Sequence, residues 1–532
     1  MQYHSTRGGV TGYSFEAAVM EGLAPDGGLF IPSHIPSLPA DWTTAWAELT
    51  FQELAVQIFR LFIDEAEIPT PDLEALVRKS YETFRTPEVA PVRPLGDPCQ
   101  QRWILELFHG PTFAFKDVAL QFLGNVFEYF LERRNQQDTS RRHFLTVVGA
   151  TSGDTGSAAI YGLRNKKNIQ AFILHPQGRV SPIQEAQMTT VLDPNIHNLA
   201  VQGTFDDCQA IVKALFGNPT FRKRYHLGAI NSINWARILA QTVYYFYSYF
   251  SLRRQLRAQG QILPDSVVYT VPSGNFGDVL AGYYARQLGL PVRRLVVATN
   301  ANDILYRFFT TGRYEKSTVV EADGTSVKAT YSPAMDILIS SNFERLLWYL
   351  AQDHVATGTS GTERANQAGQ IVKKWMDEFQ STGRLAVNEA ALQAVREIFD
   401  TAAVSDADTL STINQYYYTQ SADKSYLLDP HTAVGVKAAD RVTQRSPQTY
   451  ANVPNICLST AHPAKFSEAV SKALHVPQNE TNSQVASFDF DQVLPPEFVN
   501  LLEKPRRCLN IQPGTVENIQ ATIVKTLGST NL

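Results

Sequence analysis

Apolar residues recur at spacings of three and four through "TTAWAELTFQELAVQIFRLFI" (43–63) and again through "PDLEALVRKSYETF" (71–84). That period predicts amphipathic helices in a first region ending near residue 95. "TPEVAPVRPLGDPCQ" (86–100), with four prolines in fifteen residues, marks the crossing out of it. From residue 103 onward the period changes. Continuous β-type runs each lead into a helical pattern: "HFLTVVGA" (143–150), "IQAFILH" (169–175), "HNLAVQG" (197–203), "SVVYTVP" (266–272), "RRLVVATN" (293–300) and, late, "NICLSTA" (455–461). "HLGAINS" (226–232) precedes a long helical stretch from Ile233 to about Arg257. Uninterrupted apolar strands alternating with helices predict parallel-type open sheets covered on both faces, an α/β fold. The pattern divides the chain into a mainly helical N-terminal region (1–95), a small α/β domain (96–230) and a large α/β domain (231–532). A charged segment, 351–425, with "ATGTSGT" at 356–362, reads as a helical insertion in the last.

Composition narrows the classes. A chain of 532 residues supports two or three domains. With 44% hydrophobic and 18% charged residues and a net charge of −4, it has no basic footprint for nucleic acid and no reason to bind a membrane surface. No apolar run approaches the roughly 20 residues that span a bilayer. The first residues lack the apolar core of a secretory signal, and Glu16 and Glu21 argue against a transit peptide, so a cytoplasmic protein is expected. The four cysteines, Cys99, Cys208, Cys457 and Cys508, form no CxxC pair and read as reduced packing thiols. The eleven histidines show no metal-ligand spacing, and no metal is expected.

Three stretches carry chemistry. In "FHGPTFAFKDVALQ" (108–121) one lysine, Lys116, sits within an apolar run. Burial disfavours the charged amine and moves it toward nucleophilic or proton-transfer work, including imine formation with a carbonyl such as pyridoxal phosphate. The plain alternative is a lysine paired with Asp117 or a carbonyl. "GATSGDTGS" (149–157) and "PSGNFGD" (272–278) are glycine-rich joins between a strand and a helix, where converging N–H groups and the helix dipole suit an anion. Neither matches GxGxxG or a P-loop. An imine lysine with cradles for a phosphate and a carboxylate is the equipment of a pyridoxal phosphate enzyme.

"YHSTRGG" (3–9), "APDGGLFIP" (24–32), "FHGPTFAFKD", "GATSGDTGSAA", "NSINWARILAQ" (231–241), "VPSGNFGDVLAG" and "STAHPAKF" (459–466) together resemble the threonine synthase family, fungal and enterobacterial type. The resemblance spans about residues 1 to 470. It implies the tryptophan-synthase-β fold group (fold type II), pyridoxal 5'-phosphate as cofactor, and conversion of O-phospho-L-homoserine and water to L-threonine and phosphate by γ-elimination and β-addition. It implies Lys116 as the cofactor lysine, and Gly274, Asn275, Phe276 and Asp278 in the loop gripping the cofactor phosphate. Asp278 is expected to cap the following helix or be held by N–H groups rather than touch that phosphate. Thr460 matches the hydroxyl facing the pyridine nitrogen. Thr151, Ser152, Asp154 and Thr155 fall near the substrate carboxylate or the cofactor ring, and Arg237, with Ser232 and Asn234, takes the substrate phosphate. Thr112 and His109 precede the lysine and line the site, and His109 is expected to have no catalytic role. The resemblance is to a monomer or homodimer. A phospholyase releasing a keto acid would use the same lysine, cradle and phosphate site, so the motifs do not separate it. A binding protein that had lost the chemistry would show a replaced lysine or broken loops, and here all are intact.

Overall fold

The apolar runs become strands close to where the pattern puts them. The protein is described by a computed structural model covering residues 1–96, 101–317, 319, 326–418, 425–475 and 488–529. Its strands are β1 (Tyr3–Ser5), β2 (Phe30–Pro32), β3 (Val92–Pro94), β4 (Arg102–Glu106), β5 (Leu145–Ala150), β6 (Ile169–Pro176), β7 (Ile196–Val201), β8 (Leu227–Gly228), β9 (Val267–Pro272), β10 (Val292–Thr299), β11 (Arg313–Glu315), β12 (Arg384–Ala386), β13 (Phe399–Ala403), β14 (Asn455–Ser459) and β15 (Leu509–Ile511). A larger sheet runs β13-β10-β9-β14-β4-β3, parallel except for the antiparallel edge pair β3–β4. A smaller, all-parallel sheet runs β15-β7-β6-β5-β8. Every residue of β6 and β9 is buried, because helices cover both faces, and this is why those strands read as unbroken apolar runs.

The helix Trp235–Ala258 holds the molecule together. Its residues 235–252 are all buried, and it packs against the helices Lys116–Gln137, Phe51–Phe62 and Gly277–Leu288. A helix buried all round has no polar stripe, so its amphipathic signal is weak.

The sheets do not follow the linear division expected from the pattern. β3 and β4 join the larger sheet although β3 ends the expected N-terminal region and β4 starts the expected small domain. β15 returns from the C-terminus to pair with β7, Leu509 opposite Leu199. The short polar run around it carries no strand signal of its own. The expected insertion at 351–425 contains β13, an edge strand of the larger sheet, beside the helices Gly361–Thr382, Glu389–Ile398 and Asp406–Tyr418. The N-terminal region adds the pair β1–β2 to its helices Phe51–Phe62 and Thr70–Tyr81, and the run at 226–232 shortens to the two residues of β8. Cys208 and Cys457 are buried free thiols and Cys508 is a half-buried one, whereas Cys99 lies outside the described residues. Among the described residues no helix is long and apolar enough to cross a membrane.

Candidate active site

The segments after β5 and β14 meet at the start of the helix Lys116–Gln137, and β9 lies beside β14. The turn before it is held to the end of β14: Phe115 N–H donates to the Thr460 carbonyl at 2.8 Å, and His462 N–H to that of Phe113 at 3.1 Å. Phe113 sits in the left-handed region at φ 61°, a strained conformation that the surrounding bonds over-determine. Lys116 and Thr460 are thereby fixed relative to each other.

Lys116 does not pair with Asp117. The Asp117 carboxylate accepts from the Thr112 N–H and hydroxyl, both at 2.7 Å, and burial lifts it to about 6. The partner of Lys116 is Asp154, Nζ to Oδ2 2.7 Å. The other carboxylate oxygen of Asp154 meets Lys465, whose ammonium also donates to the Thr112 carbonyl at 2.9 Å. Burial pushes the Lys116 amine down. Asp154 pulls it back up, while Lys465 and Arg237 push it down further, and the net shift is downward. Burial by itself would raise Asp154, but the two lysines hold it well below the usual carboxylate range. Lys465, 3% exposed, escaped the sequence reading, although "HPAKF" presents it among apolar neighbours just as "FAFKD" presents Lys116.

The first glycine loop is organised around Thr151. Its Oγ1 accepts from the N–H groups of Gly153 at 3.0 Å and Gly156 at 2.8 Å, and Gly153 turns the chain at φ 139°. A Cβ on Gly156 would lie 2.3 Å from Thr151 Cγ2. Thr151 therefore shapes the loop, Asp154 faces the lysines, Ser152 is exposed and Thr155 half-buried.

In the second loop Phe276 takes φ 60° and starts the helix Gly277–Leu288, which no side chain caps. Ser273 Oγ is buried without a hydrogen-bond partner. Behind the loop stands the run 340–345. Ser340 Oγ donates to the Gly274 carbonyl at 2.7 Å, Ser341 Oγ to Asn275 Oδ1 at 3.0 Å, and Asn342 Nδ2 to the carbonyls of Asn275 at 3.0 Å and Ser232 at 3.1 Å. Arg345, fully buried, donates to Asn342 Oδ1 at 2.5 Å and to the Phe30 carbonyl at 2.9 Å. The N-terminal motif braces this wall: Arg7 pairs with Glu344 at 2.9 Å and Thr6 Oγ1 donates to it at 2.6 Å. Asp278 faces away from the loop. Neither a cap nor N–H groups hold it, contrary to expectation; it accepts from the hydroxyls of Tyr244 at 2.5 Å and Tyr245 at 2.9 Å, and burial lifts it to about 7. The reason is that two tyrosines of the central helix reach it first.

Arg237 is 3% exposed and bonded through one nitrogen to the Asn231 carbonyl at 2.6 Å; its Nε is buried without a partner. Burial lowers it to about 10, with no carboxylate bonded to it among the described residues. Asn234 spends its amide on the scaffold, donating to the Val19 carbonyl at 2.8 Å and capping Ala236 N–H at 3.1 Å. Ser232 is half-buried and offers its carbonyl to Asn342. His109 lies 2.9 Å from Glu106, which also accepts from Tyr426 at 2.7 Å, a local pair away from Lys116. The site thus gathers a buried amine, an uncapped helix start and a guanidinium with no carboxylate partner among the described residues, a combination that suits anion binding and proton transfer.

Residues 2–81 match the family model "Threonine synthase N terminus", 91–365 the model "Pyridoxal-phosphate dependent enzyme" and 432–523 the model "Threonine synthase, C-terminal". The chain is 52% identical over 532 residues to the threonine synthase of Schizosaccharomyces pombe, covering 99% of this chain and 98% of that one. Its fold is similar to the crystal structure of threonine synthase from yeast, with a TM-score of 0.89 and 47% identity over 99% of each chain. It is likewise similar to pyridoxal-phosphate-bound threonine synthase from Brucella melitensis, with a TM-score of 0.82 and 37% identity over 99% of each chain.

Proposed function

The chain belongs to the threonine synthase family of pyridoxal-phosphate-dependent enzymes, and we propose how its own residues divide the conversion of O-phospho-L-homoserine and water into L-threonine and phosphate. The residues present fit the cofactor. The buried Ser273 hydroxyl lacks a partner, the helix start beside it is uncapped, and a buried amine stands at Lys116. When bound, pyridoxal phosphate supplies the electron sink that makes the substrate's Cα and Cβ protons removable.

The backbone N–H groups of Gly274, Asn275 and Phe276 hold the cofactor phosphate, with Asp278 fixing the helix behind them. The Thr460 hydroxyl would serve as a neutral partner for the cofactor's pyridine nitrogen. Lys116 would hold the cofactor, and its amine would move protons at the substrate's Cα and Cβ in turn, so few other acid–base groups are needed. Arg237 takes the substrate phosphate and stabilises it as it leaves, since a guanidinium binds phosphate through two donors at once. Ser232 assists through its segment, and Asn234 acts by setting the start of the helix that carries Arg237. Ser152 and Thr155, with the N–H groups of the loop that Thr151 shapes, take the substrate carboxylate.

One observation carries this reading: Arg237 is buried with no carboxylate partner among the described residues, close enough to the buried Lys116 amine to push it downward. We read the protein as a monomer or homodimer. The free cysteines support a cytoplasmic enzyme. The test is to supply the holoenzyme with O-phosphohomoserine and measure phosphate and threonine together. Equal amounts are expected; phosphate with a keto acid in place of threonine would make it a phospholyase, and no phosphate would sink the reading.

A further inference from the structure

A lysine that works by gaining and losing charge is poorly served by a carboxylate at 2.7 Å, since each time the amine becomes neutral the buried carboxylate is left alone. We propose that Lys465 is the standing counter-ion of Asp154 and the positioning residue of Lys116. It holds the second carboxylate oxygen, so Lys116 can pass its proton to solvent or to a substrate carbon without stranding Asp154. The inference rests on the assignment of Lys116 above and gives a role to a residue of "STAHPAKF" to which the resemblance assigned none.

The geometry supports a fixed rather than a mobile lysine. The Lys465 side chain is wholly buried, and its ammonium has two anchors on different elements, Asp154 and the Thr112 carbonyl. Thr112 in turn donates its N–H and hydroxyl to Asp117, the residue next to Lys116. The turn before the working lysine is thus stitched from both sides, and Lys465 is the outer stitch. It stands in the short turn Pro463–Phe466, three residues beyond the chain that pairs with Phe113 and Phe115.

The charges around Lys116 determine the sign of the test. Asp154 faces it from the helix Asp154–Leu163, Lys465 from the turn Pro463–Phe466 and Arg237 from the helix Trp235–Ala258. Asp117, on its own helix, is occupied by Thr112 and feels Lys465 and Asp154. Removing the Lys465 charge leaves Asp154 with Lys116 alone, so Lys116 keeps its proton to higher pH. Removing the Asp154 charge as well takes that effect away.

The experiment is competitive acetylation of the apoenzyme with acetic anhydride across pH, reading Lys116 by mass spectrometry, in the wild type, K465M, K465R, D154N and D154N/K465M. K465M is expected to move the Lys116 midpoint up by about one pH unit or more, and K465R to leave it near the wild type. D154N is expected to move it down, and the double variant to lose the upward shift. In the holoenzyme the pH midpoint of the cofactor absorption band should move up in K465M in step. Coincident midpoints in the wild type and a K465M that keeps its thermal melt would overturn the proposal, as would K465R shifting as far as K465M. If K465M does not fold, D154N decides, and an unmoved midpoint there overturns it. Failure of the wild type itself to bind pyridoxal phosphate would instead strike the functional assignment.

Discussion

Replacing Arg237 by methionine tests the claim that this guanidinium is kept for an anion. Burial lowers it from the ordinary guanidinium value to about 10, a cost of roughly 3 kcal/mol for holding the charge in the ligand-free protein. The sign follows from linkage: a base whose folded value lies below its unfolded one destabilises the fold at every pH below both, hence throughout the neutral range. Methionine fills similar space without that cost and forfeits the bond to the Asn231 carbonyl, worth about 1 kcal/mol. The ligand-free variant should therefore be more stable than the wild type by roughly 1–2 kcal/mol. Its function should fall the other way. Losing the buried partner of a phosphate costs about 3–4 kcal/mol, or about 100- to 1,000-fold in kcat/KM. Thermal melts of the apoprotein with and without inorganic phosphate, beside a phosphate-release assay, read both effects. The melt should rise in R237M, and the further rise that phosphate gives the wild type should largely vanish. A variant that melts lower and still answers to phosphate would refute the reasoning and return Arg237 to an ordinary structural role.

Asp278, lifted by burial from 3.8 to about 7, contributes stability that is fully present below about pH 4 and lost as pH rises through 7. Urea melts of the wild type against D278N should therefore diverge by roughly 4 kcal/mol between those limits, and parallel curves would contradict this. Lys116→Ala should abolish the cofactor absorption band and lower turnover by about 10³-fold or more, measured as threonine formed. Asn342→Ala removes a fully buried amide that ties Asn275 to Ser232 and caps Arg345. It should cost about 2–4 kcal/mol in urea and weaken cofactor retention on gel filtration, whereas a silent substitution would dismiss the wall behind the second loop.

Local pattern alone determined the α/β class, the positions of β5, β6, β7, β9, β10 and β14, and the three chemistry-bearing stretches. It did so because fully covered parallel strands must be apolar throughout, and because glycine-rich joins and a lysine among phenylalanines are costly unless used. Pairings between distant parts of the chain belong to tertiary structure. β15 joins β7 across some three hundred residues, and β3 joins the rim of the larger sheet beside β4, because an edge strand needs only a free row of backbone groups and no periodic signature. The same holds within the site. The sequence pointed to Asp154 and Lys116, yet only folding brings Lys465 to the other side of that carboxylate and turns Asp278 toward Tyr244 and Tyr245. Which partner a buried charge finds depends on what the fold leaves within about 3 Å of it, and no spacing along the chain encodes that distance.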